Sequence, residues 1–257
     1  MTEISLINNR VFTYWEGPKP DYIDLCHQTI RKANGNCFTV LTPESVGEYI
    51  DIPYYYYDDH YDYWNSLMPA HRADLIRVEV LSQFGGVWID SDFIALNSFK
   101  PLIEASERNH ALYYYHDGDR YTNGFLCAPF NHSMMIEWAR NNFAVFLNLK
   151  TMGIVPSPNN RWTSFGADQL DAVREHAVDD HRDVSHRRIG PIRYRDMDRF
   201  FETENLTGTV WGAAYGYMLF NTGFPEWFKK LDRDQILEGP WMISRLFRFA
   251  LGLSQNQ

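Results

Sequence analysis

The chain is poor in the features of small disulfide scaffolds, membrane spans and polyanion binders. Its three cysteines, Cys26, Cys37 and Cys127, make no Cys-x-x-Cys pair and no even set. That excludes a disulfide framework, gives no zinc site and predicts a reducing compartment. No apolar run approaches the ~18 residues that a spanning helix needs. Glu3 and Arg10 break the one candidate stretch near the start, so no signal peptide is expected and the predicted location is cytoplasmic. Lys and Arg number 24 against 33 Asp and Glu, a net charge of −9, which disfavours nucleic acid as a partner. There is no internal repeat and no low-complexity tract.

What remains is a soluble globular composition, 45% hydrophobic and 22% charged. At 257 residues the default is one domain with one large core, residues 1–257. Aromatic residues reach 16%, with 16 Tyr and 8 Trp. Flat rings suit the apolar faces of pyranoses, although core packing also absorbs many of them.

The opening alternates strand and helix. Val11 to Trp15 reads as a strand, Gly17-Pro18-Lys19-Pro20 as a loop, and Asp21 as the cap of a helix with Tyr22, Ile23, Cys26 and Ile30 on its apolar side. Asn34-Gly35-Asn36 ends that helix, Cys37 to Leu41 forms a second strand, and Thr42-Pro43 starts another helix. This pattern predicts an α/β fold, a mostly parallel central sheet with helices on both faces, whose ligands bind beyond the carboxyl ends of the strands.

Residues 70–96 carry the most information. Pro69 suits a first helical turn, and Ala73, Ile76, Val80 and Phe84 recur at helical spacing. Gly85 and Gly86 allow a reversal into Val87-Trp88-Ile89, an apolar run of the kind buried on both faces of a sheet. Asp90 and Asp92 follow, two residues apart and expected on one side of the strand. The helical rise from Gly85 back to Asp74 is roughly 16 Å. The strand from Gly86 to Asp90 or Asp92 covers roughly 13–20 Å. Packed antiparallel, the two elements bring Asp74 and Arg77 beside Asp90 and Asp92. Taken alone, Asp74 and Arg77 are equally an ordinary helix-surface pair, and Asp90 and Asp92 a solvated turn. Together the four suit a hard divalent cation and its oxygen-rich ligand.

The stretch Ala-Asp-x-x-Arg, Gly-Gly, Asp-x-Asp resembles the Asp-x-Asp region of the glycosyltransferase family 32-like sugar transferases, including capsular-polysaccharide synthesis enzymes. A related block occurs in the glucosylating domain of large bacterial toxins. Val11-Phe12-Thr13-Tyr14-Trp15-Glu16-Gly17 resembles that group's first strand and turn, and Tyr121-Thr122-Asn123-Gly124 through Pro129-Phe130-Asn131-His132 is similar to a third segment. The likeness covers roughly the first 140 residues. It implies a fold of the GT-A type, with a nucleotide-sugar and metal half over about 1–140 and an acceptor half over about 141–257. It implies a hexosyltransferase of polysaccharide biosynthesis that uses Mn²⁺ or Mg²⁺ and a UDP- or GDP-sugar, UDP favoured, and retains anomeric configuration. By the resemblance, Trp15 stacks on the base with Tyr14 beside it, and Asn123 belongs to the same donor site. Asp92 coordinates the metal directly, and Asp90 touches metal or ribose. Asp74 and Arg77 hold sugar hydroxyls or position the diphosphate. The acceptor is a saccharide, a lipid-linked saccharide or another hydroxyl compound.

Other features are less specific. Residues 53–68 read as an aromatic loop or short helices. Asp168-Gln169 faintly resembles an Asp-Gln pair of retaining transferases and equally a helix-start acid. The basic stretch His181 to Arg199 is a solvated face or an anion site, and Trp211 to Tyr217 a small-residue loop able to close over the donor. Asn221 is a candidate late metal ligand. Pro240 to Leu253 is strongly apolar, with Arg245 and Arg248 three apart. It is either a helix that closes the core or a peripheral membrane contact.

Two other classes compete. A non-catalytic sugar-nucleotide-binding module would bind donor without metal-dependent hydrolysis. A haloacid-dehalogenase-type phosphatase also ends an apolar strand in Asp-x-Asp. Its motif sits on the first strand and continues with Thr or Val, whereas here it follows a complete strand–helix–strand and position 94 is Ile.

Overall fold

The computed structural model describes residues 10–55, 58–118, 120–203 and 213–253. Eight strands occur among them: Val11–Tyr14 (β1), Phe38–Leu41 (β2), Gly86–Ile89 (β3), Phe93–Ala95 (β4), Ala111–Asp117 (β5), Arg120–Ala128 (β6), Asp180–Asp183 (β7) and Gly216–Met218 (β8). The helices are Asp21–Asn34 (α1), Val46–Tyr49 (α2), Asp58–Ser66 (α3), Pro69–Phe84 (α4), Lys100–Asn109 (α5) and Ser133–Thr151 (α6). They continue with Ala167–Glu175 (α7), His186–Ile189 (α8), Glu226–Lys229 (α9), Arg233–Glu238 (α10) and Met242–Leu251 (α11).

Six strands form one sheet in the order β2-β1-β3-β6-β5-β7. β1 pairs in parallel with both β2 and β3, and β5 with β7, while β6 runs antiparallel to β3 and β5. Five strands therefore share a direction and β6 opposes them, which makes the sheet mostly parallel, as expected. β4 and β8 pair antiparallel in a second, two-stranded sheet.

Alternation along the central strands builds a core on each face. Phe12, Tyr14, Trp88, Leu126 and Ala128 face one core with Leu75, Ile76 and Trp138 of α4 and α6. Val11, Val87, Ile89, Phe125 and Cys127 face the other with Ile30, Phe93 and Phe99. Leaving β1, the chain goes first to β2 on one side and later to β3 on the other. The reversal makes a crevice between the carboxyl ends of β1 and β3, the place where open α/β sheets bind ligands.

Several local expectations change. Asp21 is the first residue of α1, not its cap; Pro20 holds the cap position, and the Asp21 carboxylate accepts the Arg233 backbone N–H at 2.8 Å. Thr42-Pro43 opens a turn, and the helix waits until Val46, because the Thr42 and Ser45 side chains cap one another's backbone N–H groups. α4 is buried nearly all round, including Leu75, Val78 and Leu81, so its apolar stripe is wider than the spacing implied. Asp90 and Asp92 lie in the turn between β3 and β4, not on the strand. The chain turns there because β4 leaves the central sheet to pair with β8.

The C-terminal helix closes the core. Met242, Ile243, Leu246 and Phe247 of α11 are buried with Tyr22, Ile23, Leu25 and Cys26 of α1. Arg245 donates to the carbonyls of Thr203 and Pro240, and Arg248 to those of Leu237 and Gly239. The apolar face that suggested membrane contact is thus largely covered by protein. Among the described residues no helix is long and apolar enough to cross a membrane. The three cysteines are free, Cys26 and Cys127 buried and Cys37 exposed.

Candidate functional site

Antiparallel packing of α4 on β3 places Asp74 and Arg77 beside Asp90, as the lengths implied. The Arg77 guanidinium forks between two carboxylates: Nη1 donates to Asp74 Oδ1 and Nη2 to Asp90 Oδ1, each at 2.7 Å. Its side chain is 3% exposed, against 15% for Asp74 and 36% for Asp90. It also lies 5.2 Å from the centroid of the Trp88 ring, whose indole N–H donates to Asp90 Oδ1 at 3.0 Å. The fork is thus buried at its centre and open at Asp90. Burial raises the Asp74 carboxyl to about 6, against the pull of Arg77.

Asp92 has a different environment. It is buried and forms no ion pair among the described residues. Its carboxylate accepts the backbone N–H of Asn221, and its carbonyl accepts that of Leu219 at 2.9 Å. Between these two donors Phe220 adopts φ +59°, a left-handed conformation that a non-glycine residue rarely takes. Such strain persists where its surroundings enforce it, often at functional sites. The kink carries Asn221 to Asp92 across 129 residues of sequence. Tyr22 donates its hydroxyl to Asn221 Oδ1, which orients the amide. Burial first, and then the charge of Asp90, push the Asp92 carboxyl well above the usual range. Asp74, Asp90 and Asp92 thus have one arginine near them, bonded to the first two only, which leaves the site short of positive charge.

Asn123 joins the cluster by donating to Asp74 Oδ1 at 2.8 Å. Two glycines make room for it. A Cβ at Gly124 would come within 2.8 Å of Asp90 Oδ2, and one at Gly166 would overlap the Asn123 amide and approach Asp74 Oδ2 at 3.1 Å. Ser91, between the two aspartates, donates its hydroxyl to the Tyr14 carbonyl at 3.0 Å and meets Thr13 Oγ1 at 2.8 Å. That contact joins the acidic turn to the end of β1, one residue from Trp15.

Trp15 is partly buried and walls a pocket of about 550 Å³ with Glu16, His27, Gln28, Arg31 and Thr42 among its lining. The volume lies in the range of small-molecule sites. Asp74, Arg77, Asp90 and Asp92 do not line it. Tyr14 turns its ring into the core and its hydroxyl to Glu16 Oε2 at 2.6 Å. Its carbonyl accepts the Ser91 hydroxyl, so ring, hydroxyl and carbonyl of Tyr14 are all engaged within the protein.

The remaining candidates are dispersed. Asp168 stands in the first turn of α7, and Gln169 bonds to the Ser164 carbonyl at 3.0 Å. The basic stretch 181–199 divides among β7, α8 and a 3₁₀ helix over Tyr194–Phe201. In it Arg182 pairs with Asp180 and Arg188 lies over the Tyr215 ring. Of the small-residue stretch 211–217, Trp211 and Gly212 lie outside the described residues, and Gly216 and Tyr217 are strand. Tyr56 and Tyr57 also lie outside them.

Sequence reasoning did not find Ser91, Glu16, Arg72, Tyr22 or Gly166. Glu16 and Arg72 form an ion pair at 2.6 Å across 56 positions, which no local pattern signals. Gly124, inside a strand, carried the usual signal of close approach by another group.

Residues 2–152 match the family model of capsular polysaccharide synthesis proteins. That is more than half of the 257 residues, and the chain belongs to that family. Polysaccharide synthesis is the process the family serves. Among solved structures, the PaToxG glycosyltransferase is similar at 13% identity over 66% of this chain and 69% of that chain, with a TM-score of 0.45. The UDP-bound glycosyltransferase domain from the YGT toxin is similar at 12% identity over 69% of this chain and 79% of that chain, with a TM-score of 0.47. Both likenesses are loose. No curated protein matches the chain.

Proposed function

We propose that this chain is a metal-dependent glycosyltransferase that moves a hexose from a UDP- or GDP-sugar to a saccharide or other hydroxyl acceptor with retention of configuration. The two halves of the chain, about 1–140 and 141–257, would serve donor and acceptor. The observation that carries the reading is the buried carboxylate of Asp92, which forms no ion pair among the described residues, beside Asp90 at the crevice between β1 and β3.

The donor set fits a hard cation. Asp90, Asp92 and the Asn221 amide offer oxygen only, as Mn²⁺ and Mg²⁺ prefer. Among the described residues no three His, Cys, Asp or Glu side chains form a metal cluster, so the remaining ligands would be phosphate oxygens and water. When bound, the cation neutralises charge that grows on the leaving diphosphate as a Lewis acid. The chain's own residues do the rest. Trp15 presents its ring to the base, a contact on the order of 1–3 kcal/mol in nucleic-acid systems. Arg77 holds Asp74 and Asp90 in fixed geometry. Asp74 and Asn123 offer hydrogen-bond partners to sugar hydroxyls in the same crevice. No side chain is assigned as a nucleophile, and the departing diphosphate serves as the proton acceptor for the incoming hydroxyl.

A thermal-shift panel of UDP- and GDP-sugars with and without Mn²⁺ tests this reading. A donor at ten times its Kd stabilises the fold by about 1.4 kcal/mol. One donor that stabilises the chain only with metal is the expected result. No stabilisation by any donor, with or without Mn²⁺, removes the proposal. Binding without metal-dependent donor hydrolysis favours the non-catalytic module.

A further inference from the structure

The segment that carries Trp15 has little to hold it. β1 ends at Tyr14, and residues 15–20 run without regular structure to α1, through Gly17 at φ +77°. The Trp15 backbone N–H bonds to the Leu41 carbonyl at 3.0 Å, but its indole N–H is buried without a partner. The ring is therefore oriented by its neighbours and not by a hydrogen bond of its own.

The neighbour with a fixed position is Glu16. One carboxylate oxygen accepts the Tyr14 hydroxyl at 2.6 Å, and the other accepts Arg72 Nη2 at 2.6 Å. The Glu16 and Arg72 side chains are only 10% and 18% exposed, so solvent screens the pair weakly. Arg72 stands on α4, two residues before Asp74 and five before Arg77. A closed circuit results. Trp15 leads to Glu16, Arg72 and along α4 to Arg77, which bonds Asp90; Ser91 then bonds the Tyr14 carbonyl, next to Trp15. The circuit has two links between the Trp15 turn and the acidic cluster. The Ser91 bond reaches the backbone of the turn, and among the described residues the Glu16–Arg72 pair ties a side chain beyond Trp15 to α4.

We propose that Glu16 and Arg72 are positioning residues that fix the Trp15 turn relative to the acidic cluster, so that the nucleotide and diphosphate ends of the donor site keep a constant separation. The inference rests on the donor-site reading of Trp15 and Asp92. Neither residue touches the reacting atoms. Their loss loosens the placement of a nucleotide that spans both ends and spares a ligand that occupies one end.

The test is equilibrium binding of uridine diphosphate and of uridine, then of the guanosine pair, to the full chain with Mn²⁺. Glu16→Gln removes the charge and keeps the shape, Arg72→Lys keeps the charge and removes the fork, and Glu16→Lys/Arg72→Glu exchanges the partners. Arg72→Lys is expected to weaken nucleoside diphosphate about tenfold while nucleoside binding changes less than about threefold, and Glu16→Gln, whose side chain also lines the Trp15 pocket, to weaken nucleoside diphosphate by more than nucleoside. The exchanged pair recovers part of the loss. Donor hydrolysis shows the same effect in KM for the nucleotide-sugar, with kcat little altered. Far-ultraviolet circular dichroism and thermal midpoints confirm folding, and the exchanged pair supplies the reading if one single variant does not fold. A parent that binds nucleoside diphosphate while the folded variants bind it equally well overturns the link alone. Equal losses for nucleoside and nucleoside diphosphate also overturn it, since they mark a local contact. A parent that binds no nucleoside diphosphate overturns both the link and the reading beneath it.

Discussion

Replacing Arg77 by Met should destabilise the chain by about 3 kcal/mol at neutral pH. Met fills much of the same volume but removes both charge-assisted hydrogen bonds, to Asp74 and to Asp90 at 2.7 Å. Breaking a buried ion pair by deleting one partner costs about 3–5 kcal/mol, because the other charge stays buried and unpaired. Arg77 is 3% exposed and Asp74 15%, which puts that half of the fork within this range. Asp90 is 36% exposed, so water hydrates its freed carboxylate and the total falls to the lower end. Burial already raises the Asp74 carboxyl to about 6 with Arg77 present, so without Arg77 it protonates more readily still. The penalty therefore shrinks as pH falls toward about 6 and levels off below it, where Asp74 is neutral in parent and variant alike and no longer needs a cation. Urea unfolding of parent and variant at about pH 7.5 and about pH 5 measures both values, with matched m-values as the two-state check. A loss below about 1 kcal/mol, or one that does not change with pH, would refute the buried fork.

Trp15→Ala should weaken binding of every sugar carried on a given nucleotide by about 1–3 kcal/mol and leave sugar preference unchanged. A folded variant with unaltered donor affinity removes the stacking role. Glu79 lies on the buried side of α4 away from the site, and burial pushes its carboxyl up to about 7 from 4.5. The folded chain then holds a proton that the unfolded chain has lost, so stability falls as pH rises from about 4.5 through 7. Glu79→Gln should flatten that fall and stabilise the chain by about 2 kcal/mol above pH 8. Unfolding midpoints between about pH 5 and 8.5 check it, and a variant that tracks the parent at every pH contradicts the assignment.

Where local pattern and tertiary packing agree, the elements were legible. α4 spans Pro69–Phe84 and β3 spans Gly86–Ile89, close to the reading from Pro69, the glycine pair and the apolar run. The Asp74, Arg77 and Asp90 contact was legible for the same reason, since helix rise and strand rise alone fix where antiparallel elements meet. The place of Asp92 was only half legible. Its spacing from Asp90 was visible, but not the turn that carries both acids off the strand, because that turn is set by β8 pairing with β4 from more than 100 residues away. The Glu16–Arg72 pair and the glycine clearances at Gly124 and Gly166 were illegible for one physical reason. Each depends on what another segment places against it, and neither propensity nor period reports that. At α11 the sequence admitted both burial and a membrane surface. Tyr22 and its neighbours on α1 take the apolar face, a choice that α11 by itself does not encode.

The most direct measurement of the central claim is Mn²⁺-dependent binding and hydrolysis of the donor by Asp92→Asn. The Asn side chain can still accept the Asn221 N–H, and it removes a buried charge that Asp90 repels. The variant should therefore be at least as stable as the parent without metal. It should also lose the Mn²⁺-dependent stabilisation by donor and at least about a hundredfold in rate, the scale for deleting one preorganised electrostatic group. A folded Asp92→Asn chain that binds metal and donor and turns over like the parent would contradict the account.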